Sequence, residues 1–166
     1  MVDETRWLAD EMVGRLARYL RFLGYDVEYV RGLVDRKVLE RARDEDRILL
    51  TRDVQLAQRA GPRAIRLRSP ELEEQLREVW HAHPTMRRTV AFVRCSECNG
   101  PLQHADRSTP TPLRGVPERI WGSTEEVYVC SRCGQAFWEG SHTREIRKTV
   151  ERLFTSDAGP RGNEGR

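Results

Sequence analysis

Along the first eighty positions the apolar residues switch repeatedly between short strand-like runs and helical stripes, joined by short polar connections. Trp7-Leu8-Ala9 is a run of strand length. Met12, Val13, Leu16, Ala17, Leu20 and Leu23 recur at helical spacing, and Gly24 supplies the residue type that ends such a helix. Asp26 to Val30 alternates as a strand does, and Asp35 opens a helix carrying Val38, Leu39 and Ala42. Ile48-Leu49-Leu50-Thr51 is a buried strand by its aliphatic content. Asp53 then opens a third helix, which stops before Gly61-Pro62. Ala64 to Arg68 is a fourth strand. Ser69-Pro70 suits an N-cap followed by a first-turn proline, starting a helix with Leu72, Leu76, Val79 and Trp80 on one face.

Strand and helix alternating four times predict an α/β domain over residues 1–83: a three-layer parallel sheet with helices on both faces. Pro84 and Arg87-Arg88 mark a linker over 84–92. Residues 93–154 read as a small second unit ending in an amphipathic helix from about Thr143 to Phe154, and 155–166 as a disordered tail.

Right-handed crossovers place the turns that follow the strands on one edge of a parallel sheet, where such sheets bind ligands. Asp10 and Glu11 follow the first strand, Asp35 the second, and Asp53 the third. Carboxylates gathered on one edge repel each other, and a divalent cation removes that cost. All-oxygen donors favour Mg²⁺ or Mn²⁺, with open positions for phosphate oxygens and water. Asp35 and Asp53 also stand where helix N-caps belong, whereas Asp10 has no obvious structural duty. Asp26, Asp44 and Asp46 read as surface residues of the far edge. Arg15, Arg18 and Arg21 recur every three residues beside Asp10, either as a solvated helical face or as a stripe that positions phosphate. Arg52, next to Asp53, could serve the same end.

All four cysteines fall in two CxxC pairs, Cys95-Ser96-Glu97-Cys98 and Cys130-Ser131-Arg132-Cys133. Two such turns match a closed, tetrahedral structural zinc site with no position left for catalysis. The 31 intervening residues are predicted to close as a β-hairpin with a proline-rich excursion around 108–112. His142 is expected to pack at the hinge between ribbon and final helix. His81, His83 and His104 have no ligand spacing.

Charge changes the picture little: the net charge is +3, and the four thiolates with one Zn²⁺ would remove about two units of it. The kind of base says more, since every cation except Lys37 and Lys148 is arginine, the side chain suited to bidentate phosphate contact and base stacking. The charged N-terminal stretch lacks the apolar core of an export signal. No apolar run approaches the roughly 20 residues needed to span a bilayer. A cytoplasmic chain with reduced thiols and no membrane partner is expected.

Three segments together carry a resemblance: Gly14-Arg15-Leu16-Ala17-Arg18-Tyr19-Leu20-Arg21-Phe22-Leu23-Gly24-Tyr25-Asp26, Arg47-Ile48-Leu49-Leu50-Thr51-Arg52-Asp53, and the four-cysteine ribbon closing on Phe137-Trp138-Glu139-Gly140-Ser141-His142. The chain resembles the Mut-seven C-terminal RNase family, a PIN-like nuclease domain fused to a zinc ribbon. The resemblance implies a PIN-like fold and metal-dependent RNA cleavage; an endonucleolytic mode is expected. Asp10 then corresponds to the acid closing strand one, Asp35 to that opening helix two, and Asp53 to that of the Thr-Arg-Asp motif. Glu11 and the Ser69-Pro70-Glu71 turn are candidates for a fourth carboxylate.

The expected function is therefore a ribonuclease with Asp10, Asp35 and Asp53 at a Mg²⁺ or Mn²⁺ site. Arg15, Arg18 and Arg52 would bind RNA, and a zinc ribbon on Cys95, Cys98, Cys130 and Cys133 would grip RNA, structured RNA or the ribosome. A phosphoacceptor receiver domain shares the spacing of acids but needs a lysine after a fifth strand, which this chain lacks. The remaining alternative is a non-catalytic RNA- or ribosome-binding adaptor whose acids only cap helices.

Overall fold

A computed structural model describes residues 5–86, 89–109, 116–123 and 126–156. Trp7, Leu8 and Ala9, all fully buried, alternate between the two faces of a parallel sheet. They belong to β1 (Arg6–Ala9), which pairs with β2 (Asp26–Tyr29) on one side and β3 (Ile48–Thr51) on the other. With β4 (Ala64–Arg66) the order is β2-β1-β3-β4. One face is covered by α1 (Gly14–Phe22) and α4 (Leu72–Ala82), the other by α2 (Asp35–Asp44) and α3 (Val54–Ala60). This is the expected mixed α/β arrangement with helices on both faces.

The order has a functional consequence. The chain winds from β1 outward to β2, then returns across β1 to start β3. Connections therefore leave the carboxyl ends of β1 and β3 in opposite directions and open a crevice between them.

Local details depart from the sequence expectations. The first helical stripe starts late: Glu11–Val13 form a 3₁₀ turn, so Met12 is half-exposed rather than in the core. α1 ends on Gly24 at φ 91°, as the glycine foretold. α4 begins at Leu72 with Glu71 as N-cap. The Ser69 hydroxyl accepts from the Glu71 N–H, two residues too early to cap the helix itself.

The cysteine-rich part is a three-stranded antiparallel sheet, β5 (Leu102–Ala105), β6 (Val127–Cys130) and β7 (Ala136–Trp138), with one short helix, α5 (Glu118–Trp121), over its small core. Residues 110–112 of the expected proline-rich excursion lie outside the described residues, as do Arg87-Arg88 and residues 157–166 of the expected tail.

The last helix, α6 (Ser141–Ser156), belongs physically to the first core rather than to the ribbon. Its Ile146, Val150 and Leu153 are buried in the cluster that contains Trp7, Leu16 and Trp80. Phe154 packs on Trp80 with ring centroids 3.6 Å apart, and Arg152 grips Glu73 through two bonds of 2.6 and 2.9 Å.

A polar joint fastens the ribbon to the outer side of the edge strand β2. The Val27 N–H donates to Asn99 Oδ1, and its carbonyl accepts from Arg21 Nε. Both partners lead to the first cysteine turn. Asn99 follows Cys98 directly, and Arg21 Nη1 donates to the carbonyls of Ser96 and Glu97. Asn99 also donates to Asp26 and Glu28, and Arg47 pairs with Asp26 at 2.8 Å. Two sequence readings are thereby corrected. Asp26 is not a surface acid but the centre of this network, where burial pushes its pKa up and the bonds from Arg47 and Asn99 more than reverse that. Arg21 is buried and committed to carbonyls, so it leaves the expected phosphate stripe.

Candidate functional site

Thr51 ends β3 opposite the point where Asp10 leaves β1, and the Asp10 N–H continues the ladder by donating to the Leu50 carbonyl at 3.2 Å. The fully buried Thr51 hydroxyl donates to Asp10 Oδ2 in a short bond and accepts from the Asp53 N–H at 2.9 Å. A single side chain thus ties together two acids 43 positions apart in sequence. Asp10 Oδ1 accepts from the Met12 N–H and Asp53 Oδ1 from the Leu56 N–H, so each acid also caps the turn that follows it.

A cleft of about 90 Å³ is lined by Asp10, Glu11, Asp35 and Asp53, with Val30, Leu33, Val38 and Leu56 behind them. The crevice of the strand order therefore holds all three predicted aspartates along with Glu11. Asp35 is the first residue of α2 and makes no cap bond; Val34 is the N-cap, and Asp35 instead pairs with Arg59 of α3 at 3.0 Å. Glu11 accepts from the Gly32 N–H and steadies the loop before α2. Glu71, the other candidate for a fourth acid, does not line the cleft.

Burial pushes the Asp10 pKa above the ordinary carboxylate range. The charges of Asp53 and Glu11 add to this, while the bonds from Thr51 and Met12 oppose it. Negative charge is therefore costly at Asp10, the condition that a bound cation relieves. The acids' oxygens are not drawn together as tightly as the thiols. Among the described residues, only the four cysteines form a group of three or more donors all within 4.8 Å.

The candidate arginines separate. Arg15 is exposed on α1, one turn from the acids. Arg18 turns away to Glu97 of the ribbon at 2.5 Å. Arg52 is half-buried, its Nε without a hydrogen-bond partner, and it does not line the cleft.

In the ribbon, Cys95 and Cys133 sulfurs lie 3.6 Å apart and those of Cys98 and Cys130 3.5 Å. A tetrahedral ion with bonds of about 2.3 Å to sulfur would set its ligands about 3.8 Å apart, so the cluster has the size and donor set that zinc takes. Gly100 keeps the site closed: a Cβ there would stand 2.8 Å from the Cys130 sulfur. Burial pushes the Cys95 thiol well above its ordinary range, a cost that metal coordination would reverse. His142 is exposed at the start of α6, its ring edge-on to Phe22 at 6.0 Å.

The family described as the Mut7-C RNAse domain matches residues 5–150, which take in both the acidic cleft and the cysteine cluster. The chain belongs to the Mut7-C RNAse family. Neither the curated proteins nor the solved structures compared with it gave a match. Membership in the Mut7-C RNAse family suggests a ribonuclease-type function, with RNA as the substrate. Among the described residues no helix is long and apolar enough to cross a membrane.

Sequence reasoning missed Thr51 and Asn99 as organising residues. Thr51 was legible only as the last residue of a buried strand. Replacing its hydroxyl with a methyl group (Thr51→Val) leaves Asp10 Oδ2 and the Asp53 N–H without their partner in a buried site. The expected cost is about 1–3 kcal/mol, measured by urea unfolding.

Proposed function

We propose that this chain is a metal-dependent ribonuclease with a PIN-like α/β domain, cleaving RNA endonucleolytically at the cleft of Asp10, Asp35 and Asp53. The observation that carries this reading is the Thr51 bridge, which holds Asp10 and Asp53 in one crevice although it buries their mutual repulsion. Asp10, Asp35 and Asp53 are the residues to hold Mg²⁺ or Mn²⁺, since the donors are hard carboxylate oxygens. Such an ion supplies activation of water and stabilisation of charge on the phosphodiester. Thr51 fixes the Asp10 carboxylate, α3 fixes Asp53 through its capping bond, and Arg59 holds Asp35 until the cation competes for it. Zinc in the cysteine cluster has a structural role.

The rim of the cleft favours single-stranded substrate. Of the large apolar side chains exposed among the described residues, Met12, Leu33, Val34 and Val54 all stand on the turns that carry the acids. Unstacked bases find apolar surface there, whereas a duplex hides its bases. The adaptor alternative draws on the capping bonds of Asp10 and Asp53, which would persist without any metal.

The test is cleavage of an unstructured RNA by zinc-loaded protein, with Mg²⁺ or Mn²⁺ supplied and then withheld. Internal cleavage that requires the added ion, and that Asp53→Asn removes, is the expected result. Cleavage indifferent to both would put the chemistry outside this cleft, and none in any metal would leave the adaptor.

A further inference from the structure

A second cavity lies where the two units meet, at the far end of α1 from the acids. It encloses about 430 Å³ and is bounded by Arg18 and Phe22 of α1, the first cysteine turn, Arg119 of α5, Phe137 and Trp138 of β7, and the first turn of α6. That volume falls within the range of small-ligand sites.

Its chemistry is cationic and aromatic. The two acids on its wall are already neutralised: Glu97 pairs with Arg18 at 2.5 Å, and Glu139 with Arg147 at 3.0 Å. Arg119 and Arg144 are exposed and form no ion pair among the described residues. Among the described residues the Arg144 side chain donates to the Glu139 carbonyl. The leading N–H groups of α6, a helix of 16 residues, have no acceptors within the helix and carry its positive end. Ser96 lines the same cavity and is 2% exposed, and its hydroxyl has no hydrogen-bond partner. An anion with acceptor oxygens would satisfy Arg119, Arg144 and the leading N–H groups of α6, while Phe137 and Trp138, half-buried beside them, offer stacking surface.

We propose that this groove binds single-stranded RNA outside the cleavage site, with a phosphate among Arg119, Arg144 and the first turn of α6 and a base against Trp138 or Phe137. The identity of the polymer rests on the ribonuclease reading; the anionic, aromatic-stacking ligand rests on the groove itself. The nine-residue α1 is about 13 Å long. Arg15 is exposed on the same helix towards the acids, so a strand anchored in the groove can pass it on the way to the cleft.

The experiment uses full-length, zinc-loaded Asp10→Asn protein, so that binding is measured without cleavage. The probe is a fluorescein-labelled oligouridylate of 12 nucleotides, read by anisotropy across a salt series, with Trp138 emission recorded in parallel. Arg119→Ala with Arg144→Ala is expected to weaken binding about tenfold and to lower the slope of log affinity against log salt by about 0.7, one single-strand phosphate contact. Arg119→Lys with Arg144→Lys should keep that slope, which separates lost charge from lost structure. Unchanged affinity and slope in the alanine double variant overturn the proposal. So does a loss confined to an acidic peptide probe, which would assign the groove to a protein partner. A wild-type chain that cleaves no RNA while binding stays dependent on Arg119 and Arg144 would remove the nuclease reading and keep the groove.

Discussion

Stripping the zinc proposed for the four cysteines will unfold the ribbon and lower the thermal midpoint of the whole chain by roughly 10–20 °C. Zinc binding to small thiolate sites contributes about 10–16 kcal/mol of apparent folding free energy. Only part of that reaches the first core, and a loss of about 5 kcal/mol there gives the stated shift for a chain of this size. The route is visible in the joint at β2. Val27 has its outward N–H and carbonyl bonded to Asn99 and Arg21, whose other contacts run to the Cys95–Cys98 turn. When the turn loses its ion, the edge strand loses its cover and Asp26 loses the Asn99 donor. α6 leaves the ribbon directly after β7, so the tether that holds Ile146, Val150 and Leu153 in the first core loosens too. Circular dichroism melts with and without a strong chelator measure the shift, and hydrogen exchange at the Val27 amide reports the joint itself. A midpoint that does not move, with Val27 still protected, would make the ribbon an independent appendage. Cys95→Ser should reproduce the effect more fully than Cys133→Ser, since Cys95 is buried and Cys133 exposed.

The joint also explains which parts of the molecule were legible in the sequence. Period and turn chemistry located the strands and helices of the first unit, because Leu8 and Leu49 face one helical layer and Trp7, Ala9 and Leu50 the other. The acids were legible because strand order and handedness bring the turns after β1, β2 and β3 to one edge whatever the side chains are. Spacing could not tell what a polar residue is bonded to. Arg15, Arg18 and Arg21 share a helical period, yet one is exposed, one pairs with the ribbon and one is buried among carbonyls. Asp26 looked like a strand-start surface acid because its partners Arg47, Arg94 and Asn99 come from elsewhere in the chain. Asn99 carried one usable sign: Asn-Gly directly after a cysteine pair marks a backbone turn open to positive φ, and Asn99 sits at φ 64°. The amphipathic stripe of α6 announced a buried face without saying which core would bury it.

Asp10→Asn is expected to act in opposite directions on stability and on activity. RNA cleavage should fall at least about 1000-fold, since the variant loses a charged oxygen ligand and the field it directs at the phosphodiester. Without Mg²⁺ or Mn²⁺ at neutral pH, the same variant should be more stable than the wild type by about 0.5–2 kcal/mol, or roughly 2–6 °C in thermal midpoint. The sign follows from the raised pKa. Burial, with Asp53 and Glu11 adding repulsion, favours the protonated form of Asp10 in the folded chain, so its ionised form at neutral pH subtracts stability. That penalty disappears as pH falls through the folded-state pKa, and the two proteins should converge there. Asparagine keeps the cap on the Met12 N–H and its amide can donate to the Thr51 oxygen, so the stabilisation is net of the Thr51 O–H losing its carboxylate acceptor. Adding the divalent ion should reverse the order, because it binds the folded wild type and raises its stability by mass action. Asp26→Asn supplies the contrast: its pKa is depressed, so it contributes stability above the ordinary carboxylate range and loses it in acid. Its replacement should therefore destabilise at neutral pH with or without the ion. If Asp10→Asn instead behaved like Asp26→Asn, destabilising at neutral pH and indifferent to Mg²⁺ or Mn²⁺, Asp10 would be a structural cap and the cleft would not be a cation site.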